Sequence, residues 1–176
     1  ETTLRLPAQD ELQQLLQGLL QPSARIDSKY LYDDRGCELF TDICRLDEYY
    51  PTRTEAHIFS DHRDAIAAQL PDNPQWIDLG CGDCSKTLNW LDAVQPARVI
   101  GVDIAGEFLH SSMAAVARAN PELECVGVVC DFTQHLELQE LLAERPTNPP
   151  VFFYPGSSIG NFEPRDAMRF LRRIRA

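Results

Sequence analysis

The sequence has few basic side chains and no long apolar run. Among its 176 residues, 16 lysines and arginines stand against 27 aspartates and glutamates, and the net charge is −11. A surface of that sign repels phosphate groups, so we expect no nucleic-acid partner. No apolar run approaches the roughly 20 residues that a membrane-spanning helix needs, so we expect no membrane partner.

The sequence also lacks the cationic and apolar segments of a secretory signal peptide in its opening residues, ETTLRLPAQDE. Its six cysteines include several in apolar segments such as ECVGVVCDF, where a buried free thiol is common. We therefore expect reduced cysteines and a cytoplasmic protein. The acidic surface is compatible with a monomer.

Hydrophobic periodicity divides the chain into a helical N-terminal region, 1–70, and an α/β region, 71–176. The first region is predicted to contain helices over 8–21 and 37–46, a loop over 22–36, and a helix capped by Thr52 or Thr54 that ends near residue 70. The second is predicted to alternate strands over 75–80, 97–103, 124–130 and 150–154 with helices near 85–94, 106–119, 134–144 and 164–175. Such alternation is typical of a parallel, doubly wound sheet. Because a sheet that stops after these strands leaves an open edge, we expect the chain to be the first part of a larger fold.

In a doubly wound sheet, a ligand lies beyond the carboxyl ends of the strands, and the sequence has suitable residues there. The stretch DLGCGDCSKT follows the first predicted strand, and its Gly80 and Gly82 allow a sharp turn close to a ligand. Asp103 ends the second strand, about 20 residues later, where a carboxylate accepts ribose hydroxyls. Asp131 and Phe132 end the third strand, where they can meet the edge and the face of an adenine. Each feature alone is common as a turn or a cap, but together they predict a nucleoside cofactor.

The glycine turn departs from a dinucleotide-binding loop. Cys84 or Ser85 fills the place of the third glycine, which a pyrophosphate site needs for close packing, and Lys86 follows. Asp78 would repel a pyrophosphate, but it tolerates the cationic sulfonium and amino groups of S-adenosylmethionine. The pattern D-x-G-x-G resembles the first motif of class I methyltransferases, so a methyl donor is favoured over a nicotinamide, which stays an alternative.

Cys81 and Cys84 have the spacing of a redox or metal-binding CxxC motif. A thioredoxin-type motif begins a helix, but it does not normally follow a GxG turn. A zinc site needs further ligands, and the sequence has no second CxxC and no HxxxH. We therefore expect no metal and interpret both cysteines as parts of the turn.

Two further stretches bring uncharged polar groups into loops. YPGSSIGNFEP, 154–164, follows the fourth predicted strand, where methyltransferases place residues that touch the acceptor, and its groups suit a small polar molecule. KYLYDDRG and EYYPTR contain Tyr30, Tyr32, Tyr49 and Tyr50. The alternative interpretations are a structural Gly-Ser turn and aromatic anchors for the N-terminal helices.

The chain from about residue 29 onward resembles the histidine-specific, S-adenosylmethionine-dependent methyltransferases of ergothioneine biosynthesis. The resemblance rests on YLYDDRGCELFTDICRLDEYYPTRTEAHI, DLGCGDCSKT, the VD at 102–103, CDF and PGSSIGNFEP. It implies a Rossmann-like class I methyltransferase fold, in which 71–176 form the first part of the domain that binds S-adenosylmethionine. It also implies Nα-trimethylation of L-histidine to hercynine, without a metal.

The same resemblance implies the site residues. The methyl donor would be held by Tyr49, Gly80, Gly82, Lys86, Asp103, Asp131 and Phe132. L-Histidine and its N-methylated intermediates would be bordered by Tyr32, Phe40, Tyr49, Gly156 and Asn161. The catalytic residues would be Tyr32, Tyr49 and Asn161, which can orient a neutral amine without stabilising its ammonium form as a carboxylate would. The chain departs from the family at Cys81, where Ser is frequent, and at Asp78, where Glu is common. The alternatives are methylation of another small amine and a non-catalytic module of the same fold that binds a nucleoside or a protein partner.

Overall fold

The computed structural model describes residues 8–134 and 136–175, in which a sheet is covered by helices. The helices are α1 Ala8–Leu19, α2 Asp34–Cys44, α3 Tyr50–Ala67, α4 Ser85–Leu88, α5 Leu91–Val94, α6 Gly106–Ala119, α7 Gln139–Ala143 and α8 Pro164–Arg175. The strands are β1 Gln75–Leu79, β2 Arg98–Asp103, β3 Glu124–Val129 and β4 Pro150–Phe153. Short 3-10 helices span Ser28–Leu31 and Ser158–Asn161.

The strands are all parallel and lie in the order β3-β2-β1-β4. Ile77 of β1 lies between Ile100 of β2 and Phe152 of β4. The chain runs outward from β1 to β3 and then returns to β4 on the other side of β1. This reversal opens a crevice at the carboxyl ends of β1 and β4, which is where such folds bind ligands. The predicted parallel, doubly wound sheet is confirmed.

Each face of the sheet is covered, because alternate side chains of a strand point to opposite faces. One core contains Trp76 and Val99 of the strands, packed with Val116 of α6. The other contains Ile77 and Ile100, packed with Phe170 of α8. Trp76 is 2% exposed and Phe170 is 1% exposed, so both cores exclude water. Strands buried on both faces explain why their sequences read as nearly continuous apolar runs.

A buried polar network closes the amino edge of the sheet. Arg98 is fully buried, and its Nε donates to Gln75 Oε1 at 2.9 Å. Its Nη1 is 3.0 Å from Glu144 Oε2 just after α7. Gln75 Nε2 donates to the carbonyl oxygen of Asn148 at 2.8 Å. These contacts fix the segment between α7 and β4 at the edge opposite the crevice.

The start of α3 differs from the prediction. Thr52 and Thr54 do not cap this helix, which begins at Tyr50 after the N-cap residue Tyr49. Pro51 lies in the first turn, where its missing N–H costs no hydrogen bond. The division of the chain at residue 70 into two regions stays a prediction.

Other predicted bounds are also wrong. The expected loop over 22–36 contains a 3-10 helix and the start of α2, because the Asp33 side chain accepts a hydrogen bond from the Gly36 N–H at 2.7 Å. The expected helix over 85–94 is split into α4 and α5 by the buried Trp90. The helix expected near 134–144 is reduced to α7, and His135 lies outside the described residues. No described helix combines the length and the apolarity needed to cross a membrane.

Candidate functional site

A cleft of about 1440 Å³ opens at the carboxyl ends of the strands. It is larger than the roughly 300–1,000 Å³ typical of a pocket for one drug-sized ligand, so it has room for a donor and an acceptor together. The structure brings all the predicted site residues to its wall: Tyr32, Phe40, Tyr49, Gly80, Gly82, Lys86, Asp103, Asp131, Phe132, Gly156 and Asn161. The loop after β1, 80–84 (the β1 loop), and the loop after β4, 154–161 (the β4 loop), form two of its sides.

The β1 loop turns through residues with positive φ. Gly80 has a φ of +71° and Gly82 a φ of +52°, a region in which side chains are strained. The Gly80 N–H donates to the carbonyl oxygen of Val102 at 2.8 Å, which extends the ladder between β1 and β2. A Cβ on Gly80 would lie 3.7 Å from the Phe132 ring, and one on Gly82 would meet nothing within 4 Å. The conformation of the turn, rather than lack of space, therefore requires these glycines.

Asp103 holds the β1 loop in place from the end of β2. Its Oδ2 accepts a hydrogen bond from the Gly82 N–H at 3.0 Å, and its Oδ1 accepts one from the Ala105 N–H at 3.1 Å. Asp103 also lines the cleft, at the place where a carboxylate was expected to accept ribose hydroxyls. The position predicted for a ribose contact therefore also stabilises the turn.

Asp131 is held from the N-terminal region by Lys29. The distance from Lys29 Nζ to Asp131 Oδ2 is 3.0 Å, and the two side chains are only 6% and 5% exposed. Burial lowers the pKa of Lys29, but the hydrogen bond and charge of Asp131 outweigh it, and the pKa lies above its ordinary 10.5. The Thr133 N–H donates to the other carboxylate oxygen at 3.1 Å. The neighbouring Phe132 ring packs edge-on against Tyr154, with 5.7 Å between centroids.

Asp78 is a buried acid on the wall of the cleft with one oxygen unsatisfied. The Thr87 hydroxyl donates to its Oδ2 at 2.7 Å, and Trp76 Nε1 donates to that hydroxyl at 3.0 Å. Asp78 Oδ1 is buried and has no hydrogen-bond partner within the described part of the chain. Burial raises the pKa of Asp78 to about 7, although the hydrogen bond from Thr87 lowers it. An unpartnered buried acceptor on a cleft wall fits a cationic ligand group.

Lys86 projects from α4 to Glu55 of α3, with which it forms an ion pair. The second carboxylate oxygen of Glu55 accepts a hydrogen bond from the Gly156 N–H at 2.5 Å. Gly156 has a φ of +82°, and a Cβ there would lie 3.2 Å from Lys86 Nζ. Helix α4, which follows the β1 loop, therefore meets the β4 loop at one charged contact.

An aromatic wall faces these groups from the N-terminal region. The Phe40 ring packs edge-on against Tyr32 and Tyr49, with centroid distances of 5.9 Å and 6.1 Å. Burial, with smaller contributions from nearby acidic groups, raises the pKa of Tyr49 above its ordinary 10.0. Its phenol is therefore neutral at pH 7. Asn161 ends the 3-10 helix of the β4 loop and is exposed.

The two cysteines of the β1 loop are buried packing groups. Cys81 and Cys84 are 8% and 1% exposed, and both are free thiols. The hydrogen bond with Cys84 and then burial raise the pKa of Cys81 well above its ordinary 9.0. Cys84 Sγ lies 3.8 Å from the Met113 sulfur. A protonated, buried thiol such as Cys81 is a poor nucleophile and a poor metal ligand. Across residues 8–134 and 136–175, no group of three or more His, Cys, Asp or Glu is placed to hold a metal ion.

Lys29, Glu55 and Thr87 were not anticipated from the sequence as parts of the site. Thr87 lies one position after Lys86, so the helix start could have indicated it. Lys29 begins KYLYDDRG and Glu55 lies two positions after EYYPTR, but their spacing carries no signal for the partners they meet.

A parallel, doubly wound sheet, a glycine turn after β1, an acid at the end of β2 and an acid after β3 together define a Rossmann-like methyltransferase fold. The buried Asp78 oxygen and the tight turn at Gly80 fit the cationic and polar groups of S-adenosylmethionine.

Comparison with known proteins identifies the family. Residues 11–176 match the family described as histidine-specific, S-adenosylmethionine-dependent methyltransferases, and the chain belongs to that family. It is 36% identical to the histidine N-alpha-methyltransferase of Mycolicibacterium smegmatis, over 89% of this chain and 48% of that protein. It is 33% identical to the ergothioneine biosynthesis protein 1 of Schizosaccharomyces pombe, over 84% of this chain and 20% of that protein. The chain thus spans about half the length of the bacterial relative and a smaller share of the yeast one. The predictions of the family and of its cofactor class, S-adenosylmethionine, are confirmed.

Proposed function

We propose that the whole protein transfers methyl groups from S-adenosylmethionine to the α-amino group of L-histidine, three times in succession, and so forms hercynine. The observation that supports this most is the meeting of the predicted donor and acceptor residues on one cleft. The name of the bacterial relative, histidine N-alpha-methyltransferase, favours the same acceptor.

The donor side of the cleft would be formed by the ends of the first three strands. The backbone of Gly80 and Gly82 allows close approach, and Asp103, which lines the cleft, would accept hydrogen bonds from ribose hydroxyls. Asp131 and Phe132 would border the adenine. Bound S-adenosylmethionine supplies a methyl group that is already activated on a sulfonium. The unsatisfied oxygen of Asp78 and the ammonium of Lys86 would bind its amino and carboxylate groups.

The acceptor side must hold an amine in its neutral form, since only the neutral form is nucleophilic. The side chains of Tyr32, Tyr49 and Asn161 would accept hydrogen bonds from this amine or donate hydrogen bonds to it. A phenol whose pKa lies at or above 10 is neutral at pH 7, so Tyr49 would orient the amine without the charge that would stabilise an ammonium. Neutral walls also accommodate an amine that gains methyl groups in successive turnovers.

The test is methyl transfer by the whole protein, followed by mass spectrometry of L-histidine incubated with S-adenosylmethionine. We expect mono-, di- and trimethylated products, and a large loss of turnover in Asn161→Ala. Binding of S-adenosylmethionine without any transfer to L-histidine would contradict an enzymatic role on this acceptor and favour a non-catalytic module.

A second candidate is methylation of another small amine. It is favoured by a relative from Epichloe festucae var. lolii, named 4-dimethylallyltryptophan N-methyltransferase, that is 24% identical over 91% of this chain and 48% of that protein. Competition between L-histidine and L-tryptophan derivatives in one reaction separates the candidates. Higher kcat/KM for an indole amino acid would replace the histidine assignment.

A further inference from the structure

Glu55 of α3 contacts two loops of the cleft with its two carboxylate oxygens. One oxygen pairs with Lys86 Nζ of α4, and the other accepts the Gly156 N–H of the β4 loop at 2.5 Å. Gly156 lies 101 positions along the chain from Glu55. A single carboxylate thus joins the helix after β1 to the loop after β4.

The ion pair restricts where the Lys86 ammonium can lie. The Glu55 side chain is 20% exposed and that of Lys86 is 32% exposed, so the pair is partly shielded from water. The ammonium lies against the β4 loop, 3.2 Å from the place where a Gly156 Cβ would be. An ammonium has three N–H donors, so Lys86 can keep Glu55 and still donate to a ligand carboxylate.

We propose that Glu55 is a positioning residue for the methyl donor. By pairing with Lys86 it fixes the ammonium that binds the donor, and by accepting the Gly156 N–H it sets the β4 loop at the right distance from that ammonium. The inference rests on the proposed function, because it takes Lys86 as a donor ligand. A flexible lysine that is not held would lose more side-chain freedom on binding and would bind more weakly.

The test is a double-mutant cycle on the whole protein, with the dissociation constant of S-adenosylmethionine measured by calorimetry. We expect Glu55→Gln to weaken binding about tenfold, because charge-assisted hydrogen bonds are the strong ones. In the Lys86→Met background, the same change at Glu55 should have almost no further effect. The matched control is Asp61→Asn, which removes one negative charge from an exposed position of the same helix.

The thermal midpoint, Tm, of each variant separates positioning from support of the fold. The inference is overturned if Glu55→Gln lowers the Tm but leaves the donor affinity unchanged, or if the effects of Glu55 and Lys86 simply multiply. Tighter binding by Glu55→Gln would also overturn it, since Glu55 would then compete with the donor. If Glu55→Gln does not fold, Glu55→Asp serves in the cycle, because it keeps the charge but shortens the side chain. Failure of the wild-type protein to bind S-adenosylmethionine would instead refute the proposed function.

Discussion

Replacing Asp78 by asparagine should change how the stability of the protein depends on pH. Burial raises the pKa of this carboxyl to about 7 from an ordinary 3.8. A carboxyl that holds its proton more tightly in the folded state destabilises that state as it ionises, so stability falls as the pH rises from about 4 to about 7. The difference between these two pKa values corresponds to about 4 kcal/mol of folding stability in total, of which about 2–3 kcal/mol is lost between pH 5 and pH 8.

The Asp78→Asn variant cannot ionise and should not show this loss. Its amide oxygen can still accept the hydrogen bond from Thr87, and any cost of its buried NH₂ group is the same at every pH. The Tm of Asp78→Asn relative to that of wild type should therefore rise by on the order of 5 °C when the buffer is changed from acidic to alkaline. Thermal unfolding followed by circular dichroism measures it, with the exposed Asp72→Asn as the control. Parallel Tm curves for wild type and Asp78→Asn would refute the raised pKa.

The same carboxyl should release a proton when the donor binds. If the cationic end of S-adenosylmethionine lies against Asp78 Oδ1, its charge lowers the pKa of the carboxyl from about 7. Calorimetry slightly below neutral pH, in buffers of different ionisation enthalpy, should then show proton release in wild type and none in Asp78→Asn. Equal release in both proteins would place the cation elsewhere.

Three further variants test the contacts around the cleft. Thr87→Val should lower the free energy of unfolding by about 1–3 kcal/mol in denaturant, because it removes the hydrogen bond to a buried carboxylate, whereas Thr87→Ser should keep it. Gly156→Ala should lower the free energy of unfolding by about 1–2 kcal/mol, because the φ of +82° strains a side chain. Gly160→Ala should be nearly neutral by the same measurement, because a Cβ there would meet nothing within 4 Å. Lys29→Met should lower the free energy of unfolding by about 3 kcal/mol, because it leaves Asp131 buried without its cation. Adding Asp131→Asn should restore part of that stability. No recovery in the double variant would contradict the ion pair.

The sheet could be predicted because buried parallel strands leave a direct trace in the sequence. Ile77, Ile100 and Val126 lie in apolar runs bounded by turn residues, and these runs pair in register. Helix ends were predicted less well, since they depend on particular hydrogen bonds. Asp33 caps α2 earlier than the apolar periodicity indicates, and Trp90 divides a continuous helical pattern by packing into the core.

The strand-end part of the site could be predicted for the same reason. Gly80, Asp103 and Asp131 lie at or just beyond the ends of recognisable strands, and parallel strands bring their carboxyl ends to one edge. The partners of these residues could not be predicted. Lys29 is 102 positions from Asp131, and Glu55 lies on α3 among polar residues that resemble a solvated helix face. Only the packing of the N-terminal region against the strand ends brings these charges together.

The two ion pairs also determine how variants of the donor residues must be interpreted. The N-terminal region supplies a cation, Lys29, to the acid after β3 and an acid, Glu55, to the cation of α4. Removing either Asp131 or Lys86 therefore takes away a proposed ligand contact and also leaves an opposite charge without its partner. Weaker donor binding by Lys86→Met alone is then equally consistent with loss of a contact and with displacement of α3. Only a variant that removes both charges, compared with each single variant, separates the two causes.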